Sequence, residues 1–181
     1  MTTADGVVET RADGSAVITF ARRLAHPPER VWSAITDPDQ VIRWWGELSA
    51  DLTPGGDFDL RWLNEDEENR SSGWRGTLTE YDPPRLLETT GVWGHDDEPW
   101  GANNATLRFE LTRDGDGTVL RFINTLEKLP DEFRTKTPAG WHWHLDALAG
   151  VLDGKPDRKL WDVEGWEPIH QLYEAKYAGV S

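Results

Sequence analysis

The side chains with the strongest claim to chemistry are His142 and His144, followed by Asp146, in a segment with helical spacing. At about 100° per residue the two histidines point about 160° apart around the axis, so they cannot jointly grip one metal ion; zinc spacings of the HExxH kind return both ligands to one face. His142 and Asp146 stand four apart, the spacing of an ordinary pair on a helix surface. His144 lies on the shoulder of an apolar stripe. It reads as a polar anchor inside a pocket or, more plainly, as a structural histidine with satisfied hydrogen bonds.

Other candidates dissolve on inspection. His95, Asp96, Asp97 and Glu98 offer hard ligands, but calcium needs six or more oxygens from a fixed loop, and Pro99-Trp100 breaks EF-hand spacing. The acidic run Glu65 to Glu68 reads likewise as a solvated loop. There is no Walker-type phosphate loop and no G-x-S-x-G elbow, and Ser33 and Ser49 have no His or acid at a motif's distance. No catalytic residue, metal ligand or cofactor site is assigned. Trp44 and Trp45, at a helix end, read as a gate over a pocket or as core. Adjacent helical residues diverge by about 100°, so at least one should be core.

Composition frames these readings. A chain of 181 residues suits one domain. Its hydrophobic fraction of 37% is low, but it contains 11 Trp. Each buried aromatic removes roughly 150–250 Å² from water, so together they supply about 2,000 Å² of core. A net charge of -14 argues against nucleic acid and anionic membrane surfaces as partners, which need clustered Lys and Arg. The absence of Cys removes thiol chemistry and disulfides. Met1 to Thr10 has no signal pattern and no run approaches the ~20 apolar residues of a membrane span, so a cytoplasmic location is expected.

The elements that would position these residues follow from periodicity and punctuation. Residues 1–14 are polar and read as a flexible N-terminus; 15–24 read as a first strand. Pro27-Pro28 opens a helix with Val31, Trp32 and Ile35 on one face, and Asp39 to Trp45 make a second short helix. Five strands follow. Phe58, Leu60 and Trp62 alternate with charged residues, as do Leu107, Phe109 and Leu111, and short Asp/Gly/Pro turns imply an antiparallel meander. The stretches 64–73 and 94–104 read as loops. Thr137-Pro138 then opens a helix to about Asp153, with Trp141, Leu145, Leu148 and Leu152 as its apolar stripe. Trp143, Ala147 and Gly150 lie opposite. The tail, with Trp166, Ile169, His170, Tyr173 and Tyr177 on one helical face, is expected to cover that side, with Gly150 permitting close approach. The expected class is α+β, in the order β-α-α-β5-α plus a C-terminal helix.

Several pieces of sequence carry a resemblance. Ala25 to Trp32, Thr36-Asp37-Pro38 and Trp44-Trp45-Gly46 come first; then Leu52 to Phe58, Gly76 to Leu86, Gly117-Thr118, and Gly140-Trp141 opening a helix that ends Leu152-Asp153-Gly154. In this order they resemble the START/polyketide-cyclase-like (SRPBCC, helix-grip, birch-pollen-allergen-like) superfamily, and within it the branch named after the activator of the heat-shock-protein-90 ATPase. The match spans about 15–153; it departs at His26, where the family often has a small residue, and after 154. The resemblance implies a curved antiparallel sheet wrapped around a long helix over residues 15–153; residues 154–181 lie outside it and, from the apolar face of their helix, are expected to be an extension packing on the same domain. The resemblance also implies a cavity for a hydrophobic or amphipathic small molecule between sheet and helix. A bowed sheet cannot press every residue of a straight helix of ~24 Å, so space remains unless large side chains fill it. Trp62, Phe109, Phe122, Trp141, Leu145 and Leu148 are the expected lining, with His144 or Asn124 orienting the ligand; the same aromatics could equally plug the space. Two further readings stand beside non-enzymatic binding: a co-chaperone-like module with a chaperone partner, and a cyclase- or hydrolase-like enzyme, which would need an inward-pointing titratable pair.

Overall fold

The computed structural model describes residues 5–65, 71–95, 104–155 and 163–178. Eight strands form one antiparallel sheet: β1 (Val7–Thr10), β2 (Ala16–Leu24), β3 (Glu47–Ala50), β4 (Asp57–Glu65), β5 (Ser71–Asp82), β6 (Leu86–His95), β7 (Ala105–Asp114) and β8 (Gly117–Leu126). Their order is β1-β2-β8-β7-β6-β5-β4-β3. Every neighbouring pair is also consecutive in sequence except β2 and β8, so a meander is closed on one side by the first hairpin. Helices α1 (Pro28–Thr36) and α2 (Pro38–Val41) are inserted between β2 and β3. After β8 come a 3₁₀ turn, Asp131–Phe133, the long helix α3 (Lys136–Leu152) and α4 (Val163–Tyr177). None of the described helices is long and apolar enough to cross a membrane.

The period of two drives the sheet's sidedness. In β2 and β8 alternate residues are buried, and Phe20 pairs in register with Phe122, which in turn pairs with Phe109 on β7. The Phe109 and Phe122 rings lie 4.8 Å apart, and Phe122 meets Trp141 of α3 at 4.2 Å. The stripe Trp141, Leu145, Leu148 and Leu152 is buried. Core and long helix therefore meet at β8 through Trp141, which lies on the buried edge of the helix.

Four expectations change. Six strands follow the helices, since short β3 extends the meander, and the strands run further into the expected loops at 64–73 and 94–104. The stretch 1–14 is not wholly a tail, because Val7–Thr10 pairs with β2. Tertiary contacts hold it there: Gly6 N donates to Tyr173 Oη at 2.8 Å and Val8 N to Tyr177 Oη at 2.8 Å, both on α4. Gly6 permits the approach, for a Cβ there would fall 2.4 Å from the Phe20 ring. The second helix ends at Val41, with Ile42 to Trp45 in a turn. Lastly, α4 does pack against α3, and Trp143 and Ala147 are buried. Gly150 is not what permits that approach: among the described residues a Cβ there would meet only the Lys155 side chain, at 3.9 Å.

Candidate functional site

A cavity of about 320 Å³ opens at the N-terminal end of α3. The sheet supplies Trp62 from β4 and Trp93 from β6. Trp45 comes from the turn after α2, and Trp141 and His144 from α3. The segment after β8, from Leu126 through Pro130 to Phe133, forms one rim, and Trp166 of α4 completes the wall. Five tryptophans thus face one space. Trp62 and Trp93 stack with centroids 5.2 Å apart and planes 15° from parallel. Trp141 meets Trp93 and Trp45 edge to face, at 5.9 and 5.6 Å. Such contacts set the relative planes of the bulky side chains along the wall.

Hydrogen bonds anchor this wall from behind. Trp141 Nε1 donates to Asn124 Oδ1 at 3.1 Å, and Asn124 Nδ2 donates to the Thr106 carbonyl at 3.3 Å. Trp44 stacks on Trp45 and donates its indole N–H to the Ala34 carbonyl at 2.8 Å. His144 Nδ1 lies 3.0 Å from the Trp44 carbonyl. A carbonyl only accepts, so Nδ1 carries the proton and Nε2 the lone pair. Burial pushes His144 down to about 4, against a weaker opposing pull from that hydrogen bond. The ring is neutral at neutral pH.

Of the residues singled out by sequence, Trp62, Trp141 and His144 stand on the wall. Phe109, Phe122, Asn124, Leu145 and Leu148 are fully buried and lie off it. Phe109 and Phe122 pack on each other and Trp141 of α3 lies against Phe122, while the cavity lies toward the helix start. Trp44 and Trp45 are both buried, and only Trp45 reaches the cavity. Sequence reasoning missed Trp93, Trp166 and the rim from Leu126 to Phe133. An apolar loop carrying Leu129, Pro130 and Phe133 just ahead of the long helix was the available signal.

His142, expected at the surface, is buried. Its Nδ1 lies 3.0 Å from Tyr173 Oη and its Nε2 3.5 Å from Asp146 Oδ2. Arg22, an inward-facing residue of β2, stands 3.7 Å from Asp146. Burial lowers the Arg22 guanidinium from its ordinary value and raises the Tyr173 phenol, so Tyr173 stays protonated and can donate to His142. The cover supplied by α4 turned an apparent surface pair into a buried network, which joins α3, α4 and the first hairpin away from the cavity. The acidic stretch Asp96 to Glu98, the His95 side chain, and Asp66 to Glu68 fall outside the described residues. Among the described residues no three His, Cys, Asp or Glu side chains cluster as a metal site would need.

A family model described as "Activator of Hsp90 ATPase homolog 1-like protein" matches residues 25–153. No curated protein matches the chain. The crystal structure of CalU16 from Micromonospora echinospora is 24% identical, with a TM-score of 0.70 over 99% of this chain and 100% of that one. DynU16, from the dynemicin biosynthetic locus, is 23% identical, with a TM-score of 0.66 over 80% of this chain and 50% of that one. The Mll3558 protein from Rhizobium loti is 22% identical, with a TM-score of 0.64 over 75% of this chain and 96% of that one. These likenesses establish the fold, a helix grip with a curved antiparallel sheet around a long helix.

Proposed function

The chain belongs to the activator of Hsp90 ATPase homolog 1-like family, and from that membership and the tryptophan-lined cavity we propose that it binds a hydrophobic or amphipathic small molecule without transforming it. The observation that carries this reading is the cavity itself: five indoles and an apolar rim around about 320 Å³. That volume falls at the low end of the roughly 300–1,000 Å³ usual for small-molecule sites. Catalysis by proton transfer would want an acid and a base facing each other. The wall instead offers a neutral His144 and no carboxylate among the described residues.

A chaperone partner, the alternative raised by the family's name, would need a sizeable exposed apolar or charged face. Among the described residues the large exposed apolar side chains Val7, Ile42, Leu63, Phe133 and Leu172 sit on five separate segments, which favours the small-molecule reading. Titration with the neutral dye N-phenyl-1-naphthylamine tests it. Saturable one-to-one binding that quenches tryptophan emission is expected; a flat titration, with no small molecule extracted from the purified protein, would overturn it.

A further inference from the structure

The charge of the cavity wall runs against that of the whole chain. Acids outnumber bases by 33 to 19, yet the wall carries Lys128 and Lys136 and, among the described residues, no Asp or Glu. The chain has only five lysines, so finding two on one small apolar wall is a concentration of positive charge. They arrive from different elements, Lys128 from the segment after β8 and Lys136 from the first residue of α3. Lys136 Nζ sits 6.0 Å from the Phe133 ring centre. The neighbouring acids Glu127, Asp131 and Glu132 are exposed and stand off the wall. The positive end of the α3 dipole adds a field of the same sign.

A further donor lies deeper. Trp45, 1% exposed and on the wall, buries an indole N–H that has no acceptor among the described residues. A buried donor left unmet is costly, and a ligand oxygen would satisfy it. The two lysines and this indole N–H all call for an acceptor, and preferably a charged one. The apolar remainder is made of flat, mutually braced indoles. Flat walls favour a planar ring system, which stacks against them, over a flexible chain.

We propose that the ligand is an aromatic anion: a compact planar ring system seated among Trp45, Trp62, Trp93 and Trp141, with an acidic group turned to Lys128 and Lys136. This deepens the cavity-binding reading and rests on it.

The test uses two dyes with one ring system: N-phenyl-1-naphthylamine, which is neutral, and 1-anilinonaphthalene-8-sulfonate, which carries an acid. Affinities for both are measured on the intact chain and on the double variant Lys128→Gln/Lys136→Gln. Both lysines are exposed, and retained binding of the neutral dye shows that the variant's cavity is formed. In the variant the sulfonate should weaken about tenfold more than the neutral dye does. Raising salt from about 50 to about 500 mM should reproduce the selective loss in the unaltered chain. Equal effects on the two dyes, or none on the sulfonate, would overturn the anion assignment and leave the cavity reading standing. If neither dye binds the unaltered chain, both readings fall.

Discussion

The indole N–H of Trp141 donates to Asn124 Oδ1 across 3.1 Å, with both side chains buried. This bond joins the long helix to β8 directly behind the cavity and sets the plane of one of its walls. Asn124→Ala would strand a buried donor and leave a void. It is expected to cost about 1–3 kcal/mol, read as a lower midpoint in urea. An unchanged midpoint would show that the bond does not hold the helix.

Tyr173 offers a contrasting case. Its hydroxyl accepts from Gly6 N and faces His142 Nδ1, and neither side chain is on the cavity wall. Tyr173→Phe should destabilise the fold by about 1–3 kcal/mol, since two buried groups lose their partner. Affinity for N-phenyl-1-naphthylamine should stay within about twofold under native conditions, because no wall residue moves. A large loss of dye affinity would mean that the network and the cavity are coupled.

His144 makes a prediction about pH. Its folded value of about 4 lies below the ordinary 6.5. Between these values the unfolded chain takes up a proton that the folded chain refuses, so stability falls as pH drops from about 6.5 toward 4. Above 6.5 the ring is neutral in both states and contributes nothing. The shift corresponds to about 3 kcal/mol across the whole window. Denaturation at pH 7 and pH 4.5, compared between the unaltered chain and His144→Gln, should show a smaller acid loss in the variant. Equal losses would contradict the buried, neutral ring.

Much of this was readable in the residues. Alternation in Phe58-Leu60-Trp62 and Leu107-Phe109-Leu111 specified a one-sided sheet, and Trp141-Leu145-Leu148-Leu152 specified which helix edge it would grip. Such patterns survive because burial acts on every second or every third to fourth residue, a local property. The location of the open space was not local. It depends on where a straight α3 departs from a bowed sheet and on where Trp93 and Trp166 arrive from distant positions. Phe109 and Phe122 therefore looked as suited to a pocket as Trp62, yet they pack against each other and close the middle. His142 misled for the same reason, since its cover lies on α4, 31 residues away at Tyr173.

Trp166 tests whether α4 belongs to the site. It is half-buried, stacks on His170 at 4.5 Å and completes the wall. Trp166→Ala should open the cavity to solvent, weakening neutral-dye binding about fivefold, with a stability change within about 1 kcal/mol. Undiminished affinity would place the ligand deeper, against Trp45 and Trp141 alone.

The most direct measurement follows the indole N–H resonances of the 11 tryptophans during a titration with N-phenyl-1-naphthylamine. Trp45, Trp62, Trp93, Trp141 and Trp166 should shift together along one saturating curve, while Trp32 and Trp143, off the wall, stay in place. Shifts led by Trp32 or Trp143, or a spectrum indifferent to the dye, would contradict a ligand site beneath the long helix.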